Sequence, residues 1–185
     1  MLHIQNMFVD NIRIFARAGK GGNGLVSFRR AKFVPKGGPD GGDGGDGGSV
    51  ILEVDPHTND LRSFFYDPKL IATDGVGGQS AKKHGKNGKS VIGKVPPGTI
   101  IYRSNASSMA EATWLEREGE GIELEKIADL TEIGTRFTLC QGGIGGKGNW
   151  HFRSATNQAP TEAEMGTEGE EGVFFMELRR IADAG

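Results

Sequence analysis

The side chains of this sequence with usable chemistry are cations. Arg29, Arg30, Lys32 and Lys36 straddle Phe33 and run straight into Gly37 and Gly38, while Lys82, Lys83, Lys86 and Lys89 stand with His84 among Gly85, Asn87 and Gly88. Lys147 sits inside a further glycine-rich stretch. From Asn11 to Pro39 there are seven basic residues and no acid, and from Gly75 to Ala110 six and no acid. The whole chain is near neutral, at −2, yet residues 1–100 hold 14 Lys/Arg against 9 Asp/Glu, and residues 101–185 hold 8 against 15. Acid-free basic stretches bind polyanions by neutralising phosphates and releasing their counterions. A backbone thinned by glycine reaches into narrow crevices, and irregular RNA, which is recognised largely by shape, offers them. The candidate RNA contacts are therefore Arg29, Arg30, Lys32, Lys36, Lys82, Lys83, Lys86, Lys89 and Lys147. A solvated face balanced by the acidic half is the other reading of the same charges.

Other motifs point to no catalytic centre. Gly19-Lys20-Gly21-Gly22-Asn23-Gly24 spells the dinucleotide fingerprint, but that site needs a helix next, and Leu25-Val26-Ser27-Phe28 reads as strand. Gly88-Lys89-Ser90 resembles the end of a phosphate-binding P-loop, but Lys83 stands where its first glycine belongs and Val91-Ile92 continues as strand. No P-loop, and hence no nucleotide hydrolysis, is expected in this chain. Asp40, Asp43 and Asp46 recur at intervals of three. They are either a solvated row or a calcium-binding one, since hard cations take carboxylate oxygens. His3, His57, His84 and His151 show no metal-ligand spacing, and a single cysteine, Cys140, excludes an internal disulfide.

The elements that must position the cations are spelled by glycine. Of 185 residues 31 are glycine, and they cluster: four within 19–24, eight within 37–48 and five within 142–148. Inside the clusters the period is three, with Gly38, Gly41, Gly44 and Gly47 in one row and Gly42, Gly45 and Gly48 in a second. Three residues per turn is the polyproline II pitch, and a bare row lets backbones approach closely. Two bare rows predict a strand that packs on two neighbours at once. Between the clusters, alternation predicts strands at Ile12–Arg17, Leu25–Arg29, Val50–Val54, Val91–Val95, Thr99–Tyr102, Arg136–Cys140 and Val173–Ile181. Ser107–Glu118 is the one helical candidate, with Met109, Ala112 and Leu115 on a face. The expectation is a mostly β protein with little α-helix, an antiparallel sandwich or barrel bearing glycine-rich excursions. No apolar run is long enough to span a membrane, and Met1–Asp10 lacks the pattern of a secretory signal, so a cytoplasmic location is expected.

The motifs together resemble the N-terminal glycine-rich domain of the Obg family of GTPases. The matching stretches include Met7-Phe8-Val9-Asp10, Ala18 to Gly24, Ser27-Phe28-Arg29-Arg30, Pro35 to Gly45, Val95-Pro96-Pro97-Gly98-Thr99, Ala128-Asp129-Leu130, Gly142 to Asn149 and Thr156-Asn157-Gln158-Ala159-Pro160. The resemblance implies an Obg fold, a β-barrel or sandwich base with six left-handed polyproline-type helices. It implies an extension at 1–6, the domain at 7–176 with an acidic insertion at about 104–125, and a linker at 177–185 into a GTPase domain beyond it. GTP and Mg2+ belong to that further domain, with no cofactor in this chain. The implied partners are the large ribosomal subunit with its 23S-type rRNA and the protein's own GTPase domain, for a monomer acting in ribosome biogenesis and growth or stress control. Where family members often carry bases after Thr156-Asn157, this chain has Gln158, Glu162 and Glu164.

Overall fold

The computed structural model describes residues 10–34, 36–118 and 121–179. The expected extension at 1–6 and positions 180–185 of the expected linker lie outside the described residues.

Two sheets face each other across one core. The larger has the order β3-β1-β8-β5-β6, formed by β1 (Asn11–Arg17), β3 (Lys69–Ile71), β5 (Thr99–Ser104), β6 (Leu124–Leu130) and β8 (Glu171–Leu178). The smaller has β4 (Val91–Val95), β2 (Val50–Val54) and β7 (Arg136–Cys140) in the order β4-β2-β7. Period-two alternation sends Ile14, Ala16, Phe174 and Met176 from the larger sheet, and Val50, Leu52, Val54 and Val95 from the smaller, into the shared core. Phe64 of the short helix α1 (Arg62–Tyr66) joins them.

The sheets are mixed rather than purely antiparallel. β1 pairs parallel with β3, and β2 parallel with β4. Parallel neighbours need a long crossover, and here the glycine-rich excursions after β1 and before β4 supply it. Helix α2 (Met109–Glu118) follows β5, and its Ala112 is fully buried with Val173 and Ala106, against Phe15 and Phe175 on the outer face of the larger sheet. Ser108 Oγ accepts the Glu111 N–H at 3.1 Å, which caps its first turn. The helix thus covers part of one sheet face. Alternation did not reveal α1, β3 or β6, which are short or carry little apolar contrast.

Leu25–Arg29 is not a strand. It continues a glycine-rich segment, meeting residues 38–42 through Leu25 N–H to Gly42 O (3.0 Å) and Arg29 N–H to Gly38 O (3.0 Å), and ends in an isolated bridge between Phe28 and Pro39. Asp40 N–H to Ser27 O (2.9 Å) lies between these two, but Gly42 N–H turns to Gln79 O and Ser27 N–H to Asn149 Oδ1, so each pair is joined by a single bond and no ladder forms.

Among the described residues six extended segments form the glycine-rich bundle: about 18–29, 38–49, 72–79, 82–89, 141–149 and 160–170. The three-residue period is visible in their hydrogen bonds. Gly42, Gly45 and Gly48 donate to Gln79, Val76 and Thr73, Gly143 and Gly146 to Gly19 and Gly22, and Lys82, Gly85 and Gly88 to Asp40, Asp43 and Asp46. Sterics follow the same register. A Cβ on Gly41, Gly44 or Gly47 would lie closer than 3.0 Å to the carbonyl of Leu25, Gly22 or Gly19, and one on Gly42, Gly45 or Gly48 to that of Lys83, Lys86 or Lys89. One segment does pack on two neighbours through its two bare rows. Gly38, counted by spacing in the first row, is the exception, with nothing nearer than Arg153 Nη1 at 4.0 Å.

Candidate nucleic-acid interface

At the end of the bundle away from the sheets, two loops meet around one buried amide and a third is held beside them. Asn149 is fully buried. Its Oδ1 accepts from Gly41 N–H (2.9 Å) and Ser27 N–H (3.4 Å), and its Nδ2 donates to Ser27 O (3.0 Å) and Pro160 O (3.0 Å). One side chain therefore ties together the roots of the 28–39 hairpin and the 149–160 loop. The third loop, the turn at 80–83, is pinned by Asp40, which accepts Ala81 N–H at Oδ2 (3.2 Å) and Lys82 N–H at its carbonyl (2.7 Å). Ala81 and Lys82 both lie in the left-handed region, at φ 59° and 56°. That is costly for residues with a Cβ, and the two bonds to Asp40 hold them there.

The tip brings the two basic stretches of the sequence together. Arg29 and Arg30 line a groove of about 730 Å³ whose other wall is Asp40, Ser80 and Ala81. Arg29, Arg30, Lys32, Lys36, Lys82 and Lys83 are all exposed there. Lys32 Nζ stands 5.3 Å from the centroid of the Phe33 ring, and Lys82 Nζ 4.9 Å from that of Trp150. The remaining candidates sit elsewhere. Lys86 and Lys89 are exposed along the shaft, where Lys89 O accepts Thr73 N–H close to the start of β4. At about 3.1 Å per residue, Lys89 lies roughly 20 Å from Lys82. Lys147 is exposed on the segment whose backbone bonds Glu164. Sequence reasoning missed Trp150 and Arg153, although Trp150-His151-Phe152-Arg153 is itself an aromatic–basic alternation.

The aspartate row is bonded rather than simply solvated. Asp46 Oδ1 accepts Gly145 N–H and Asp43 Oδ1 accepts Gly148 N–H, each at 2.8 Å. Asp43 Oδ2 faces His151 Nε2 at 2.8 Å and His84 Nδ1 at 3.3 Å. These histidines, scattered in sequence, converge on one carboxylate. Calcium takes six to eight oxygens, whereas these carboxylates serve amides and imidazoles, and no three such side chains among the described residues form a metal-ligand set. Partial burial pushes the Asp43 carboxyl up, but the Gly148 amide and His151 together hold it below its ordinary value near 3.8. Its contribution to stability is thus complete above that ordinary value and is lost as pH falls through the lower folded one. Asp43→Asn is expected to flatten the acid side of the stability profile, read as melting temperature between about pH 3 and 6. An unaltered slope would show that the carboxylate does not hold the tip.

The glycine fingerprints are likewise occupied. Gly19, Gly21, Gly22 and Gly24 donate to Gly48, Thr167, Gly45 and Glu164, so these amides serve the bundle. Gly88-Lys89-Ser90 leads into β4 and not into a helix. Burial pushes the Cys140 thiol up to about 12, which makes it a protonated core side chain. No helix among the described residues is long and apolar enough to cross a membrane.

A two-sheet β base carrying a six-segment glycine-rich bundle, with cations and one bare aromatic ring at its far end, defines a class: a glycine-bundle domain that projects loops. The profile of the GTP1/OBG family matches residues 9–180, and the chain belongs to that family. A protein from Akkermansia muciniphila named GTPase Obg is 99% identical over 179 residues, covering 97% of this chain and 51% of its own length. One of the same name from Methylacidiphilum infernorum is 49% identical over 181 residues, covering 97% and 50%. Another from Clostridioides difficile is 47% identical over 179 residues, covering 97% and 38%. The chain spans about half the length of the first two, and less of the third.

Proposed function

We propose that this chain is the domain with which an Obg-type GTPase docks on the RNA of the large ribosomal subunit, in the cytoplasm, during that subunit's maturation. The observation that carries the reading is the tip, where Arg29 and Arg30 line one groove and Lys32, Lys36, Lys82 and Lys83 stand exposed on the loops that form it, at the end of the bundle. Cations gathered on a narrow projection suit a crevice walled by phosphates. The names of the relatives support GTP hydrolysis by the whole protein. GTP and Mg2+ are held by a further domain, and this chain supplies placement. In this reading the whole protein acts in ribosome biogenesis and, through it, in growth and stress control.

The test is co-sedimentation with purified large subunits across a salt series. The six tip residues changed together to Ala are expected to weaken binding and to flatten its salt dependence, by a slope of about 0.7 to 1 for each phosphate no longer neutralised. Lys86, Lys89 and Lys147 changed together have the smaller effect, because they lie off the tip. Equal binding by wild type and the tip variant at every salt concentration refutes the reading.

A further inference from the structure

The tip carries a side chain that phosphate binding does not use. Phe33 is 90% exposed, more than any other large apolar residue described. It occupies the second central position of the turn Ala31–Val34, which Val34 N–H closes on Ala31 O at 3.1 Å. Its φ is 67°. A turn with positive φ at that position ordinarily takes glycine or asparagine, because a Cβ is strained there. The fold neither covers the ring nor needs it to make the turn. What surrounds it is charge: Lys32 Nζ over its face, with Arg29 and Arg30 on the same hairpin.

A bare ring among cations fits an unpaired nucleobase. The face of the base stacks on the aromatic side chain, while the phosphates on either side of it meet the cations. A continuous duplex offers the cations its phosphates but keeps its base faces inside the stack. We infer that Phe33 is a base-stacking residue, and that the feature recognised by the tip is an unstacked base flanked by backbone phosphates. This rests on the reading of the domain as an RNA-docking module, and it names the element of RNA that the module selects.

The experiment uses the 185-residue chain and two RNA probes: a hairpin whose single-stranded loop carries 2-aminopurine, and a fully paired duplex of the same length. Phe33→Gly removes the ring and relieves the turn, so the variant melts no lower than wild type. It is expected to bind the loop probe roughly ten-fold or more weakly, the size of one base–aromatic stack, with an unchanged salt slope and unchanged duplex binding. Phe33→Trp retains the affinity and adds indole quenching on binding the loop. If Phe33→Gly binds the loop probe as wild type does while Arg29→Ala and Arg30→Ala weaken it, stacking is refuted and the docking reading stands. Weaker binding to large subunits with unchanged binding to the loop probe places the ring against a ribosomal protein and also overturns the inference. Failure of wild type to bind either RNA removes the docking reading and the inference with it.

Discussion

Gly45→Ala is expected to destabilise the chain by about 3 kcal/mol or more, while Gly38→Ala is expected to leave it as stable as wild type or more stable by up to about 1 kcal/mol. The two glycines sit in the same cluster and differ in what faces them. A Cβ on Gly45 would come closer than 3.0 Å to Lys86 O and Gly85 O, which are backbone atoms and cannot swing away as a side chain end does. Moving Gly45 away disturbs Gly45 N–H to Val76 O and Gly22 N–H to Gly45 O (both 2.8 Å), and moving the other segment disturbs Gly85 N–H to Asp43 O (2.8 Å) and Val76 N–H to Lys86 O (2.9 Å). Overpacking alone costs about 1–3 kcal/mol, and each strained backbone bond adds about 1 kcal/mol. Against this, alanine restricts the unfolded chain and returns only about 0.4–1 kcal/mol. At Gly38, with open space out to 4.0 Å, only that favourable effect operates. Urea unfolding of the two variants decides the matter. Equal midpoints would mean that the bundle yields to a methyl group, and so is not the rigid shaft that docking requires.

The second large effect is expected at Asn149. Asn149→Ala removes four hydrogen bonds at once and leaves Gly41 N–H and the carbonyls of Ser27 and Pro160 without this partner in a largely buried place. Each unsatisfied buried group costs about 1–3 kcal/mol, so a loss of about 3 kcal/mol or more is expected. Asn149→Asp is the sharper variant. At neutral pH its carboxylate points lone pairs at two carbonyls where the amide donated, so it loses at least as much. At acid pH, below a carboxyl pKa that burial and the two facing carbonyls raise above its ordinary value, the acid holds a proton and can donate again, so part of the stability returns. Denaturant unfolding at the two pH values reads both effects. Because Asn149 joins the roots of two tip loops, RNA binding should fall along with stability. An Asn149→Ala variant as stable as wild type would show that the loops hold their places without it.

The β base was legible in the sequence wherever alternation was strong. Val50–Val54, Val91–Val95 and Arg136–Cys140 appear as strands with the expected bounds. Helix α2 starts two residues later than its pattern suggested. Alternation failed at Leu25–Arg29 because the return bonds that a ladder needs go to other segments, Gly42 N–H to Gln79 and Ser27 N–H to Asn149. At the tip, composition named the right loops, but spacing along the chain did not separate Lys82 from Lys89. Both lie in one acid-free run, and only the hydrogen-bond register puts one at the groove and the other near β4.

What the sequence by itself determined is the period. Glycine at every third position commits the chain to segments with bare faces, because any Cβ there bars close approach. The tertiary structure alone decided which carbonyl each bare face meets, that Gly38 meets none, and that Asp43 gathers His84 and His151. It also decided that Asn149 is the buried joint of the tip. Spacing along a chain records which face a residue shares with its neighbours, and a face acquires its chemistry only from the segment packed against it.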